Sequence, residues 1–592
     1  MIENQPQSPG QYPEFIALYK NFLEKLLSVN SDELRFSIQL MMCWIDDYQT
    51  WLKTLDSMKV FQAQMQYGHA YLALCETLNN LTPSSSNSDG KTTDIQDRRF
   101  QGEVWHESRY FRFFVNHYLL ICEHVHKFVK ENKTPDKHLN QKIKFLTQQW
   151  LDALSPSNFY FSNPTVLNQT LMSKGENFIL GFENFMKDWI TGNGKWQIKM
   201  TQMDAFVLGE NIAATKGKVI YRNRMMELIQ YTPTTDQVHE IPLLMIPPWI
   251  NKYYILDLRE KNSLVKWALD QGFSVYMVSW INPDASYKAT SFFDYLDQGI
   301  LSAIGVIQKV ANVEKINALG FCIGGTLLAA TMAYLAAQKL DLIQSCTYLT
   351  TLIDFTDVGD VGVFIDEKQV AAIHEYMERQ GVLSGNHLMM SFNLLRANDL
   401  FWSFFINNYL CGKEPFPFDL LFWNCDNTNL PCEMHRFYLE NMYLKNLLIQ
   451  PNGLSLNGVP LDIRNIHAPS YFLSAKQDHI APWKTTYTGA IQLGGPVTFV
   501  LGGSGHIAGV INPPANEKYG YACLEKGKSY TKNSSEWLQQ ATQHAGSWWT
   551  HWAEWLKPKS GPKVKAKTTS SQEYLPIGEA PGRYVRNKSA SN

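Results

Sequence analysis

The 592-residue chain has no excess of charge of either sign: 53 Lys and Arg face 55 Asp and Glu, for a formal net charge of −2. Nucleic-acid binding needs a net basic surface or a dense basic stripe, so that class of partner is excluded. Nine cysteines (Cys43, Cys75, Cys122, Cys322, Cys346, Cys411, Cys425, Cys432 and Cys523) are odd in number and scattered, without a C-x-x-C pair. That pattern argues against a disulfide framework and against a zinc site, and it fits a reduced, cytoplasmic setting. The opening stretch, MIENQPQSPGQYPEF, lacks the basic and apolar regions of a signal peptide. The longest small-apolar run, TLLAATMAYLAA (326–337), is too short to span a bilayer. Contact with an oily ligand is therefore expected from the surface. No internal repeat is seen.

What the chain does have is apolar and aromatic content: 45% hydrophobic and 13% aromatic, with 17 Trp. Its length predicts two or three domains. Residues 1–195 read as a mostly helical N-terminal domain. FIALYKNFLEKLLSV (15–29) and RYFRFFVNHYLLICEHVHKFVKE (109–131) repeat apolar residues at helical spacing, around a polar loop at 82–94. The aromatic-rich helices of this half read as core, with a partner or particle surface as the alternative. Residues 196–592 change texture. Buried strands are predicted in IPLLMIPPW (241–249), FSVYMVSW (273–280), INALGFC (316–322), CTYLTTLID (346–354), SYFLSAKQD (470–478) and VTFVLGGSGH (497–506). They alternate with helices, which implies an α/β fold on a mostly parallel sheet. Residues of about 358–455 break the alternation and read as a helical cap over the carboxyl edge of that sheet. The Pro-, Lys- and Ser-rich tail, about 557–592, reads as flexible.

The segment NALGFCIGGT (317–326) places Cys322 in a G-x-C-x-G frame, between a strand and a helix. That is the form of a nucleophile elbow, where small flanking residues let a sharply turned chain pass itself. The helix start after Cys322 favours thiolate. Gly-rich turns also serve tight packing, so a buried filler is the competing reading of Cys322. Its partners decide between the two. An α/β-hydrolase presents nucleophile, acid and base in that chain order, each after a strand. Asp478 and His506 fit, at the ends of the last two predicted strands. Asp478 alone could be a turn or helix cap. His479 adjoins it and competes for the base role; the final post-strand loop favours His506. The set predicts that His506 takes the proton of Cys322 while Asp478 orients the imidazole. Two oxyanion donors are expected: the backbone N–H of Ile323, and one from the loop near Trp249 and Ile250.

These motifs resemble the polyhydroxyalkanoate synthases. The resemblance rests on GFCIGGT, SAKQDHIAPW, GGSGHIAGVINPP, IPPWINKYYILDL (246–258), SWINPDASY (279–287) and EAPGRYV (579–585). A long chain with its own helical N-terminal domain is similar to the class I, single-subunit type. The resemblance implies an α/β-hydrolase catalytic domain with a helical cap, preceded by the mostly helical N-terminal domain. It implies catalytic roles for Cys322, Asp478 and His506, with no cofactor beyond the CoA thioester that is the substrate. The expected reaction polymerises 3-hydroxyacyl-CoA, short-chain such as 3-hydroxybutyryl-CoA, through an S-acyl-cysteine, with release of CoA. The expected partners are the growing polyester, the granule surface, granule-associated proteins and a second copy of the chain.

Further candidates are substrate-side: His479, Asp284 after a strand, and Arg396 against a CoA phosphate. For Asp284 a turn role competes, and for Arg396 a salt bridge. Tyr443 and Trp423 in the cap are channel or interface candidates, with core as the alternative. A depolymerase or thioesterase using the same triad, and a non-enzymatic granule or acyl-binding protein, are the rival functions.

Overall fold

A computed structural model describes residues 20, 23, 31–80, 97–192, 194, 196–525, 527–566 and 573–588. The loop expected at 82–94 lies outside the described residues, as does nearly all of the helix expected at 15–29. The chain divides into two units: residues 1–200 with 391–416, and residues 201–390 with 417–590.

The first unit is helical. Three of its helices begin where a short polar side chain accepts from free first-turn N–H groups. Ser108 caps Arg109–Glu131, Asp136 caps Lys137–Ala153, and Asn163 caps Pro164–Ser173 with Pro in the first turn. Phe100, Trp105, Val115 and Tyr118 form one small core, and Trp51, Leu139 and Ile143 another. Arg99 ties the helices by pairing with the buried Asp152 at 3.1 Å. The expectation that the aromatic helices are mainly core holds only in part. Trp150, Phe161, Leu171, Met172, Phe182 and Ile190 are all exposed.

The sequence reading has one continuous cap over 358–455, whereas residues 391–416 belong to the helical unit. The reason is local. Helix Glu176–Thr191 carries Gly181, where a Cβ would lie 1.9 Å from the Tyr409 carbonyl oxygen, so the backbones touch. Asn177 donates to the Leu410 carbonyl at 2.7 Å, and the Tyr409 hydroxyl donates to Asp188 at 2.6 Å.

The second unit is built on an eleven-stranded sheet. In chain order its strands are β1 (Gly217–Arg222), β2 (Met226–Tyr231), β3 (Leu243–Ile246), β4 (Val275–Trp280), β5 (Ile316–Phe321), β6 (Ile343–Leu349), β7 (Ser470–Ala475), β8 (Val497–Gly502), β9 (Tyr521–Cys523), β10 (Thr542–His544) and β11 (Gly578–Glu579). Across the sheet they lie β10-β9-β8-β7-β6-β5-β3-β4-β2-β1-β11. The centre, β8 to β4, is parallel, while both flanks pair antiparallel. The sheet is thus parallel only in its middle. Helical crossovers bury the central strands on both faces, and their sequences accordingly read as unbroken apolar runs. β3, β4, β5 and β7 are buried along their whole length. Helix Ile323–Ala337, apolar all round, is almost wholly buried as well.

The tail is a correction. Its Lys/Pro composition predicts a solvated chain, yet its described residues are anchored. Lys563–Lys565 pairs antiparallel with Gln237–His239, and β11 closes the sheet against β1. The buried Glu227 carboxylate accepts from the backbone N–H groups of Arg583 and Tyr584, both at 2.9 Å. Backbone hydrogen bonding decides here, and composition does not report it.

Candidate active site

The turn after β5 is strained in the way a nucleophile elbow requires. Cys322 has φ +53° and ψ −124°, a region that costs a residue with a Cβ about 1–3 kcal/mol. Surrounding contacts hold it there. The Cys322 N–H donates to the Leu349 carbonyl at 2.8 Å, and its carbonyl accepts from Gly325 N–H at 2.9 Å and from the Thr351 hydroxyl at 3.3 Å. The glycines of the frame are sterically required. A Cβ on Gly320 would lie 2.5 Å from the Gly325 Cα. One on Gly324 would lie 2.4 Å from the Ile246 carbonyl oxygen, and one on Gly325 would lie 2.0 Å from Thr351 Oγ1. Helix Ile323–Ala337 starts immediately, so the Ile323 N–H is a first-turn donor without an intrahelical acceptor.

Asp478 follows β7, and His506 follows β8. The Asp478 side chain is fully buried and both of its oxygens are engaged. Oδ1 accepts from the N–H groups of Ile480 and Ala481, each at 2.8 Å, and Oδ2 lies 2.7 Å from His506 Nδ1. The imidazole stacks on Phe321, the residue before the cysteine, with ring centres 5.8 Å apart. Burial alone would push His506 toward neutrality. Asp478 and then the neighbouring Cys322 thiol outweigh it, so the pKa of His506 is raised well above its ordinary value. The structure therefore brings Cys322, His506 and Asp478 into one connected series.

The other sequence candidates separate. The Ile250 carbonyl accepts from Thr428 N–H at 2.9 Å, and the Trp249 carbonyl accepts from the Thr428 hydroxyl, so this loop is tied to residues that return from the insertion. The His479 carbonyl accepts from Asp360 N–H at 3.1 Å, anchoring the start of the same insertion. Asp284 is exposed and caps a short turn by accepting from Ser286 N–H at 2.8 Å, which lowers its pKa. Arg396 pairs with Asp399 and lies in the helical unit, outside the unit that carries the triad. Trp423 is buried and donates to the Lys252 carbonyl at 2.7 Å. For Asp284, Arg396 and Trp423 these contacts favour the turn, salt-bridge and core alternatives.

Two residues beside the thiol had no clear sequence signal as a pair. Tyr438 and Tyr443 face each other with ring centres 5.4 Å apart, and Cys322 acts electrostatically on both hydroxyls. Burial, reinforced by that thiol, raises both phenol pKa values, so the two hydroxyls stay neutral donors. Residues five apart diverge by about 140° on an α-helix. Here Leu439–Leu444 is π-helical, and the wider turn brings the pair to one side.

Fold and elbow define the class: this is an α/β-hydrolase-fold protein with a cysteine at the nucleophile position, and the α/β-hydrolase family profile matches residues 243–513. A second profile, the N-terminus of poly-β-hydroxybutyrate polymerase (PhaC), matches residues 96–268. A poly(3-hydroxyalkanoate) polymerase subunit PhaC of Rhizobium etli is 40% identical over 90% of this chain and 84% of its own length. The poly(3-hydroxyalkanoate) polymerase of Methylorubrum extorquens is 40% identical over 91% and 88%. The corresponding subunit of Cupriavidus necator is 41% identical over 84% of each. The chain belongs to the poly(3-hydroxyalkanoate) polymerase family, whose members are acyl-transferring enzymes.

Proposed function

We infer that this enzyme polymerises (R)-3-hydroxyacyl-CoA, short-chain such as 3-hydroxybutyryl-CoA, into a polyester with release of CoA. The observation that carries this reading is a thiol on the strained elbow, joined to the His506–Asp478 pair, in a chain of this family.

His506 takes the proton of the Cys322 thiol, and the thiolate attacks the carbonyl carbon of the acyl-CoA. The tetrahedral oxyanion is held by the Ile323 N–H, with a second donor from the loop at Ile250. The C–S bond to CoA breaks, CoA leaves with the proton from the imidazolium, and an S-acyl-cysteine remains. The 3-hydroxyl of another acyl unit then gives its proton to His506 and attacks an acyl thioester, forming the ester bond and freeing a thiol. Asp478 orients the imidazole, a role supported by the commitment of both its oxygens. No cofactor enters this scheme. Thioester exchange between CoA and cysteine is close to isoenergetic, so the acyl group keeps its activation until an alcohol arrives. The buried surroundings, including Tyr438, Phe355 and Trp249, disfavour water as the acceptor.

A polyester granule in the cytoplasm is the proposed working surface, with a second copy of the chain and granule-associated proteins as partners. The exposed apolar residues of the helical unit support an oily contact. Among the described residues no helix is long and apolar enough to cross a membrane. The test is incubation of the purified chain with 3-hydroxybutyryl-CoA. Polymer formed in step with CoA release is expected; free 3-hydroxybutyrate without polymer would overturn the reading in favour of a hydrolase.

A further inference from the structure

Away from the triad, four side chains of the metal-ligating types converge. His374 and Glu378 lie one turn apart on helix Glu367–Gln380, and Cys432 and Glu433 begin helix Cys432–Tyr438. One ligand atom from each lies within 4.8 Å of every other. Glu378 Oε1 is 3.1 Å from His374 Nε2 and 3.6 Å from Cys432 Sγ. Around a tetrahedral zinc ion, ordinary Zn–O, Zn–N and Zn–S bond lengths place ligand oxygen about 3.3 Å from nitrogen and about 3.5 Å from sulfur. The two measured separations are close to those edges.

The scaffold holds the donors from both sides. Cys432 N–H donates to the Gly381 carbonyl, and Glu433 N–H to the Lys288 carbonyl, each at 3.1 Å. The two-residue strands Val382–Leu383 and Leu430–Pro431 pair between them. Two cations border the cluster. Lys288 binds Glu378 at Oε2, 2.7 Å away, and leaves Oε1 facing the histidine and the thiol. Arg436 approaches His374 Nε2 at 3.5 Å, and pairs with Glu440 at 3.1 Å.

The geometry points to a divalent transition-metal site, zinc by its donor set, formed by His374, Glu378, Cys432 and Glu433. The mixture of one thiolate, one imidazole and carboxylates selects zinc over calcium or magnesium, which take oxygen ligands. Binding replaces the S–H bond by an S–metal bond and releases one proton to solvent. Arg436 gives up His374 Nε2 and keeps Glu440. The ion would join two cap helices, the second of which ends at Tyr438 beside the catalytic thiol. The role is structural, and it does not depend on which acyl acceptor the triad uses. The expectation of no zinc site came from the absence of paired cysteines along the chain; this set is assembled from segments about 55 residues apart.

The test uses the full-length chain, stripped of metal with a chelator and titrated with Co²⁺ alone. Expected is one equivalent bound, with tetrahedral d–d bands in the visible and a thiolate-to-cobalt band in the near ultraviolet. Zn²⁺ should displace the cobalt and raise the thermal midpoint. Cys432→Ser should lose the thiolate band and the Zn²⁺-dependent shift, and His374→Gln should weaken binding by roughly a hundredfold. An absent thiolate band, or one of full strength in Cys432→Ser, overturns the site in favour of a cluster satisfied by Lys288 and Arg436. Should Cys432→Ser fail to fold, unchanged cobalt affinity in His374→Gln overturns it equally.

Discussion

His506 Nδ1 lies 2.7 Å from Asp478 Oδ2, while the other oxygen of that carboxylate is held by two backbone N–H groups. The aspartate is thus fixed before the histidine is, and the imidazole turns its remaining nitrogen away from Asp478. In the proposed mechanism, proton transfer at Cys322 depends on this order of constraint. A histidine free to rotate would offer the right nitrogen only part of the time.

Replacing the proposed nucleophile is the first prediction. Cys322→Ala should keep the fold and lower the rate of CoA release by at least about a thousandfold. Circular dichroism and a CoA-release assay check it. Release at the wild-type rate would remove Cys322 from the reaction.

Asp478→Asn tests the electrostatics. The folded pKa of His506 is raised above its ordinary 6.5. Its stabilising contribution is therefore complete below about pH 6.5 and is lost as pH rises through the folded pKa. Removing the Asp478 charge should cost more stability at pH 6 than at pH 9.5, measured by chemical denaturation at each pH. An equal cost at the two pH values would mean that Asp478 does not hold the histidine charged.

Gly324→Ala separates the elbow from its chemistry. The added methyl would meet the Ile246 and Pro247 carbonyl oxygens at 2.4 and 2.7 Å, both backbone atoms that cannot swing aside. A loss of about 2 kcal/mol is expected from overpacking. Activity should fall far more than that stability loss implies, because the turn carrying Cys322 must shift. Denaturant midpoints beside specific activity decide it, and a stable, fully active variant would show that the elbow tolerates a Cβ.

Glu227→Ala addresses the tail. The buried carboxylate binds Arg222 at 2.7 Å and accepts from the N–H groups of Arg583 and Tyr584. Its removal leaves a partly buried guanidinium and two orphaned donors, at a cost of roughly 3 kcal/mol. It should also open the C-terminal segment to protease. Limited proteolysis followed by mass spectrometry reads the second effect directly; unchanged cleavage would mean that the tail is held by other contacts.

Much of the catalytic unit is legible in the chain. The central strands are apolar runs because they are buried on both faces, and Gly320, Gly324 and Gly325 announce the elbow because no Cβ fits there. The position of Asp478 and His506 after the last parallel strands is also readable, since loops at strand ends carry the site in this fold. Reading fails where an unusual local geometry or a distant contact decides. Five-residue spacing hides the Tyr438–Tyr443 pair, because only a π-helical turn brings them to one side. For Arg396 the sequence offers a phosphate ligand and a salt bridge alike, and the structure pairs it with Asp399, three residues on.

The sequence by itself determined the cysteine on its glycine-framed elbow, the chain order in which Asp478 and His506 follow it, and the alternation that builds the sheet. Each of these is written in short-range patterns that steric and periodic rules translate directly. Tertiary structure alone decided the anchoring of the C-terminal tail, the attachment of residues 391–416 to the helical unit, and the meeting of His374 and Glu378 with Cys432 and Glu433. Those outcomes depend on backbone groups and side chains far apart in the chain. Neither composition nor periodicity carries a record of them.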